Sequence, residues 1–371
     1  MIYREFGKTG KKVSILGFGA MRLPETNQSG EAQVDFEKSI NLMLKAFDYG
    51  INYVDTAYPY CYGQSEIAVG KALKETNKKI YVSTKSPVWR IEKKGDFRYY
   101  LEESLKKLDL GTIDFYHFHS LNEHFYKEKI LKFNLIEEAE KAREEKLINH
   151  ISFSFHDRPE VLKQLVDTGA FDSLLCQYNF LDRTNEEAIS HAKDKGVGVA
   201  VMGPLAGGRL LNLGTENIVQ EAGSNILELA LQFVFGNSNV SVALSGMENI
   251  EMLGENVGIA SNPISLSEME AQVLGRISGK KEIKDMVPCN DCGYCIPCPN
   301  NIPIPRIFKI MNYCILTGVK GNSSWQYSLI GRYDDKSKAD ECVECGECEE
   351  KCPQDIEIIE QLKKGHKLLS R

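Results

Sequence analysis

The chain has 371 residues, 42% of them hydrophobic and 26% charged, with a formal charge of −7. That is the balance of a folded globular protein, too long for one compact core and short for two full-sized enzyme domains, so one large domain with a small appendage is expected. No apolar run approaches the ~18 residues of a membrane span, the start MIYREFGKTGKK lacks the apolar stretch of a secretory signal, and the basic residues are scattered as pairs such as Lys93-Lys94 and Lys106-Lys107. A cytoplasmic protein with neither membrane nor nucleic acid as a partner is therefore expected.

In chain order, Ile2 to Lys12 reads as a hairpin turning at Lys8-Thr9-Gly10, placed to plug one end of the larger domain. Short β-branched runs then recur at 13–21 (VSILGFGAM), 51–57, 80–86, 113–120, 150–155, 173–179, 197–203 and 240–246. Between them lie stretches with apolar residues at helical spacing, such as Leu42, Met43, Ala46 and Phe47, or Leu101, Leu105 and Leu108. Strand–helix alternation dictates parallel pairing through right-handed crossovers, in an open doubly wound sheet or in a barrel. Eight repeats favour the (β/α)8 TIM barrel. Near Ser278-Gly279-Lys280-Lys281 the alternation stops and a polar connection leads into a cysteine-rich tail. This divides the chain into a barrel domain, 1–278, and a second domain, 279–371.

Polar residues that interrupt strands are costly unless they are used, because a buried group without a partner loses about 1–3 kcal/mol. Here they collect at strand C-terminal ends: Asp55 on the second strand, Lys85 on the third, His119 on the fourth, Ser154 on the fifth, Gln177 and Asn179 on the sixth. In a parallel barrel those ends open on one rim, where barrel enzymes build their sites.

The segments INYVDTAYPY, VSTKS and LDLGTIDFYHFH resemble those that carry the Asp, Tyr, Lys and His tetrad of the aldo-keto reductases, and the likeness extends over the whole barrel. The resemblance implies Asp55, Tyr60, Lys85 and His119 as the catalytic tetrad. Carbonyl reduction needs a hydride at carbon and a proton at oxygen, and a phenol with a pKa of ~10 is a poor acid at neutral pH. An ammonium beside it stabilises the phenolate, so Lys85 makes Tyr60 a usable donor, with Asp55 holding Lys85 and His119 orienting the carbonyl oxygen. Tyr58, Tyr60 and Tyr62 share one loop: the distance from Asp55 selects Tyr60 as in the family, whereas the Tyr-Gly pairing in YGQSE points to Tyr62. Distance from a rigid strand end is the harder feature to alter, which favours Tyr60. His117 shares the strand face of His119 and is a lesser candidate, while His124 and His156 read as loop residues.

No GxGxxG opens a helix; Gly17-Phe18-Gly19 lacks the third glycine. The same family binds its nucleotide across the barrel rim. By resemblance Ser154 and Gln177 meet the nicotinamide amide, Met202 lies beneath its ring, and SGMENIEMLGEN forms the adenosine-phosphate loop, with Gly246 at its turn and Glu255 and Asn256 near the adenine. Three departures stand out: Phe155 replaces a common Asn, Met202 a common aromatic, and Glu248, Glu251 and Met252 occupy the loop where an arginine grips the 2′-phosphate. Acidic residues there repel an extra phosphate, so an NAD(P)H cofactor with a preference for NADH is implied.

Of the eleven cysteines, only Cys61, Cys176 and Cys314 lie outside two groups: Cys289, Cys292, Cys295 and Cys298, and then Cys342, Cys345, Cys348 and Cys352. Tight repeats in an intracellular chain are the grammar of metal ligands rather than of disulfides. The second group is a C-x2-C-x2-C-x3-C-P run, the ferredoxin pattern in which the fourth cysteine serves the other cluster. Two such runs predict two [4Fe-4S] clusters, one on Cys289, Cys292, Cys295 and Cys352, the other on Cys342, Cys345, Cys348 and Cys298. Zinc is the alternative occupant, although zinc ribbons space two pairs apart. The first run departs from the pattern, with only two residues before Cys298. The tail resembles the dicluster segment of the iron–sulfur group of aldo-keto reductase-like proteins. It is expected to be a small, mainly α-helical ferredoxin-like domain, with helices at 307–316 and 358–369 and Cys314 in its core.

Two functions fit. In the first, an oxidoreductase reduces a small carbonyl substrate at the barrel mouth while the clusters exchange single electrons with a redox protein partner such as a ferredoxin. In the second, an electron-transfer or redox-sensor protein retains a barrel that no longer turns over carbonyls. The tetrad favours the first and the nucleotide-site departures the second; no flavin motif connects two-electron hydride to one-electron clusters.

Overall fold

The structure is a computed structural model that describes residues 1–26, 33–213, 215–262, 266–318, 320–332 and 335–370. Eight parallel strands close into a barrel: β1 Leu16–Gly19, β2 Tyr53–Asp55, β3 Tyr81–Ser86, β4 Ile113–Leu121, β5 Ile148–Phe155, β6 Ser173–Gln177, β7 Gly198–Met202 and β8 Val242–Ser245. Each pairs with the next, and β8 returns to β1 with Ala243 opposite Leu16 and Ser245 opposite Phe18. This is the (β/α)8 barrel implied by the repeat count rather than an open sheet. Helices between the strands bury the expected stripes: Leu42, Met43, Ala46 and Phe47 in the helix Phe36–Asp48, whose N-cap Asp35 accepts from the Lys38 amide, and Leu101, Leu105 and Leu108 in Lys94–Leu108.

The N-terminal hairpin pairs Tyr3–Glu5 with Lys12–Ser14 and seals the strand-start end of the barrel. Its Phe6 is fully buried, edge-on to Tyr53 at 5.6 Å and to Phe115 at 4.9 Å between ring centroids. Gly7 is required beside it: its φ is +57°, and a Cβ there would lie 2.3 Å from the Gly198 nitrogen. One strand expectation is corrected. The run at 13–21 is two elements, with Val13 and Ser14 in the hairpin and the barrel strand beginning at Leu16. The Ser14 amide donates to Asn52 Oδ1 at 2.7 Å and its hydroxyl to the Leu16 carbonyl at 2.7 Å, which turns the chain between them.

By packing, the described residues form two compact units: 1–204 with 230–265, and 205–229 with 266–371. The segments 205–229 and 266–278, read from sequence as part of the barrel domain, thus group with the cysteine-rich tail. The second unit is mainly helical, with Ile304–Thr317, Lys320–Ser328 and Ile358–Leu369 as its longer helices after the cysteines begin. Its core contains Ile302, Ile307, Phe308, Met311, Cys314, Tyr327, Ile330, Ile358 and Leu362, and six of the eight grouped cysteines lie in it or pack against it, among them Cys289, Cys342 and Cys348. Asn312 brackets Val287, accepting from its amide and donating to its carbonyl, both at 2.8 Å. Among the described residues no helix is long and apolar enough to cross a membrane.

Candidate active site and cluster cysteines

The stagger of the strands brings the polar residues of the sequence to one rim. Asp55 lies opposite Ser83; two residues on, Lys85 lies opposite His117; two further on is His119. The climb of two residues per strand is the tilt that closes a barrel, and it keeps Asp55, Lys85 and His119 on inward-facing positions near its mouth. Immediately beyond His119 the β4–β5 register shifts between Phe118 and Leu121, with Ser120 at φ +54°. Such a bulge re-aims the side chains at the end of its strand.

Lys85 is sealed from solvent. Its Nζ donates to Asp55 Oδ1 at 2.5 Å and to the Thr56 carbonyl at 2.7 Å, while Asp55 Oδ2 accepts from Ser83 Oγ at 2.8 Å. Burial pushes the Lys85 ammonium below the usual lysine value, against the pull of Asp55 and, more weakly, of Glu66. Burial raises the Asp55 carboxyl, opposed by Lys85 and Ser83. Burial, reinforced by the Lys85 charge, lowers His119 well below the ordinary imidazole value and His117 to about 3. Both imidazoles are therefore neutral at pH 7.

Tyr60 begins the short turn Tyr60–Gly63. Its ring meets His119 edge-on at 5.7 Å and lies under Lys85, whose Nζ is 4.7 Å from the ring centroid. The next two residues, Cys61 and Tyr62, are left-handed at φ 49° and 57°, which sends Tyr62 outward to 76% exposure. The structure thus brings Asp55, Tyr60, Lys85 and His119 together and leaves Tyr62 apart. Trp89, on the turn after β3, faces His119 at 5.0 Å and was not singled out from the sequence, nor was Glu66, fully buried behind β3. Neither carries a local signal, because the partners that bring them to the site, His119 for Trp89 and Thr84 for Glu66, lie on other elements of the chain.

The nucleotide candidates divide. Ser154 is buried, and its Oγ accepts from the Ser120 amide at 2.8 Å. Gln177 is 8% exposed and its Oε1 has no hydrogen-bond partner among the described residues. A Cβ on Gly203 would lie 2.7 Å from that oxygen, so the glycine leaves the Gln177 amide its room. Met202 pairs with Gln177 across β6 and β7. An orphaned buried carbonyl oxygen at the rim fits the amide of a nicotinamide. Gly246 follows β8, and Asn256 donates to Ser245 Oγ at 3.0 Å, pinning the helix Ile250–Ser261 to the end of that strand. Glu248, Glu251, Met252 and Glu255 are exposed.

In the second unit, Cys289, Cys292, Cys295 and Cys352 line one gap, and Cys298, Cys342, Cys345 and Cys348 line another, which Cys295 also borders. Cys352 among the thiols of the first run, and Cys298 among those of the second, fit the ligand exchange of a dicluster ferredoxin. Cys314 is buried in the core. Cys61 has its Sγ 3.4 Å from the Met21 carbonyl, and Cys176 is buried in β6, its thiol raised by burial.

A closed parallel barrel that gathers an ion-paired lysine, a phenol and a neutral imidazole at the C-terminal ends of its strands has the architecture of a barrel-type enzyme. The aldo/keto reductase family model matches residues 15–273, and the chain belongs to that family, an NAD(P)H-dependent oxidoreductase. A 4Fe-4S dicluster domain matches residues 288–357. The chain is similar to L-galactose dehydrogenase of Arabidopsis thaliana, at 29% identity over 74% of this chain and 92% of that protein. It is similar to an NADH-specific methylglyoxal reductase of Escherichia coli, at 26% identity over 72% and 95% of the two chains. Among solved structures, the holo form of an aldo-keto reductase from Bacillus halodurans superposes with a TM-score of 0.63 at 28% identity, covering 75% of this chain and 96% of that one.

Proposed function

We propose that the chain reduces a small carbonyl compound at the barrel mouth, with Asp55, Tyr60, Lys85 and His119 as the tetrad. The convergence of these side chains carries the reading. The Tyr60 hydroxyl gives its proton to the carbonyl oxygen, and the Lys85 ammonium at 4.7 Å from the ring centroid stabilises the phenolate left behind. Asp55 keeps Lys85 charged and fixed, and neutral His119 donates to the oxygen as negative charge develops there. A bound nicotinamide supplies the hydride, so that carbonyl, NADH and one proton yield alcohol and NAD⁺, and Tyr60 is reprotonated from solvent. Ser154 and Gln177 orient the carboxamide, with Met202 beneath the ring. Gly246, Glu255 and Asn256 line the adenosine end, and the exposed acids Glu248 and Glu251 select NADH over NADPH by repelling a 2′-phosphate.

The cysteines would hold two [4Fe-4S] clusters in the exchanged arrangement, which supply one-electron transfer with a redox protein partner. By sequence we assign residues 1–278 to the catalytic module and 279–371 to the cluster module, although 205–229 and 266–278 pack with the latter. Anoxic stopped-flow mixing with NADH and a carbonyl panel tests the whole reading. NADH oxidation that depends on carbonyl and is lost in Tyr60→Phe is expected. Cluster reduction by NADH with no carbonyl turned over would overturn it in favour of an electron-transfer protein. Purified without oxygen, the protein should carry about eight irons; stoichiometric zinc and no iron would refute the clusters.

A further inference from the structure

We propose that Glu66 and Lys107 form a positioning pair that sets how Tyr60 stands against Lys85; this rests on the reading of Tyr60 as proton donor. Glu66, in the helix Ser65–Lys74, is fully buried, and a buried carboxylate is retained only where it is partnered. One of its oxygens accepts from Thr84 Oγ1 at 2.7 Å; the other lies 3.4 Å from Lys107 Nζ. Thr84 immediately precedes Lys85 on β3, and alternation along the strand puts Thr84 on the outer face of the barrel wall when Lys85 faces inward. The Lys107 ammonium also donates to the Tyr58 carbonyl at 3.4 Å and lies 3.6 Å from the centroid of the Tyr58 ring, two residues before Tyr60. One short chain of contacts therefore ties the strand that carries Lys85 to the loop that carries Tyr60. That loop needs an outside tie, because Cys61 and Tyr62 hold left-handed conformations that side chains resist. The Glu66 charge also favours the Lys85 ammonium, as a second buried anion beside Asp55.

The test uses the full-length protein with its clusters, assayed without oxygen. Glu66→Gln keeps the volume and the Thr84 hydrogen bond but drops the charge; Lys107→Met keeps the aliphatic stem. Each should lower kcat about 10- to 100-fold through misplacement of the donor, with the Kd for NADH unchanged. The alkaline limb of the kcat profile should move to higher pH, because a phenol less well served by Lys85 is harder to ionise. Combining the two should add little to either alone, and Lys107→Arg should restore most of the loss. An unmoved pH limb in both single variants would overturn the proposal, even if Tm falls, since a scaffolding role alters stability and not titration. Should Glu66→Gln fail to fold, Lys107→Met carries the same test. Full turnover in Tyr60→Phe would instead overturn the underlying reading of the site. A dead Tyr60→Phe together with wild-type profiles in Glu66→Gln and Lys107→Met would sink the positioning pair alone.

Discussion

Lys85 Nζ lies 2.5 Å from Asp55 Oδ1, and both side chains are shut away from solvent. A buried pair of this kind gains its attraction against a heavy desolvation cost, so its value is in having both members present. Removing one strands the other.

Asp55→Asn should therefore destabilise the protein by about 3–5 kcal/mol and abolish turnover, as read by chemical denaturation and NADH oxidation. The double variant Asp55→Leu with Lys85→Met should recover most of that stability and no activity. A double variant as unstable as Asp55→Asn would contradict the stranded-charge account.

Tyr60→Phe should reduce kcat by about 10²- to 10⁴-fold, the usual contribution of a positioned acid. Tyr62→Phe, at a side chain 76% exposed, should leave kcat and KM as they are. Steady-state kinetics on the two variants decides between the tyrosines, and the reverse pattern would move the donor to Tyr62.

The neutral, buried imidazoles make the barrel acid-sensitive. His117 titrates at about 3 in the fold because of burial and the Lys85 charge, but at about 6.5 when unfolded. Below about pH 6.5 the unfolded chain binds a proton that the fold refuses, so stability falls as pH drops. From this residue alone the slope should approach about 1.4 kcal/mol per pH unit between about pH 5.5 and 4, flattening near 3 where the folded imidazole itself takes up a proton, and buried His119 adds to it. Denaturation across pH 4–7 should show a shallower acid limb in His117→Gln, and an identical limb would remove His117 from the explanation.

Exchange of ligands between the cysteine runs can be read from iron content. Cys352→Ser should disturb the cluster expected on Cys289, Cys292 and Cys295, and Cys298→Ser the one on Cys342, Cys345 and Cys348. Each variant should lose about four of about eight irons, with a different one of the two EPR signals surviving in each. Loss of the signal belonging to the mutated residue's own run would show that the runs bind separately.

The glutamates after β8 should govern nucleotide choice. Glu248→Arg should tighten NADPH more than NADH by about 30-fold in fluorescence titrations, since a repulsion of about 1 kcal/mol is exchanged for an attraction of about the same size. Equal affinities before and after would place the 2′-phosphate elsewhere.

The barrel itself was legible in the chain because its signals are local. Eight β-branched runs alternating with helical stripes admit few parallel topologies, and the cysteine spacing carries its ligand geometry within a few residues. The polar strand ends at Asp55, Lys85, His119, Ser154 and Gln177 could be read for the same reason, since chain alternation places them at one rim of any parallel barrel. What the sequence could not express were contacts between segments far apart along it. Ser14 and Asn52, 38 residues apart, split the first strand run. The left-handed turn at Cys61 and Tyr62 decided which tyrosine of the loop meets His119, a matter of backbone sterics that composition leaves open. Trp89 reached His119, and Glu66 joined Thr84 to Lys107, only once strands and helices had packed. Periodicity and spacing act between near neighbours in the chain, whereas the closeness of charges and rings at the barrel mouth depends on the stagger of the closed sheet, which exists only when all eight strands are paired.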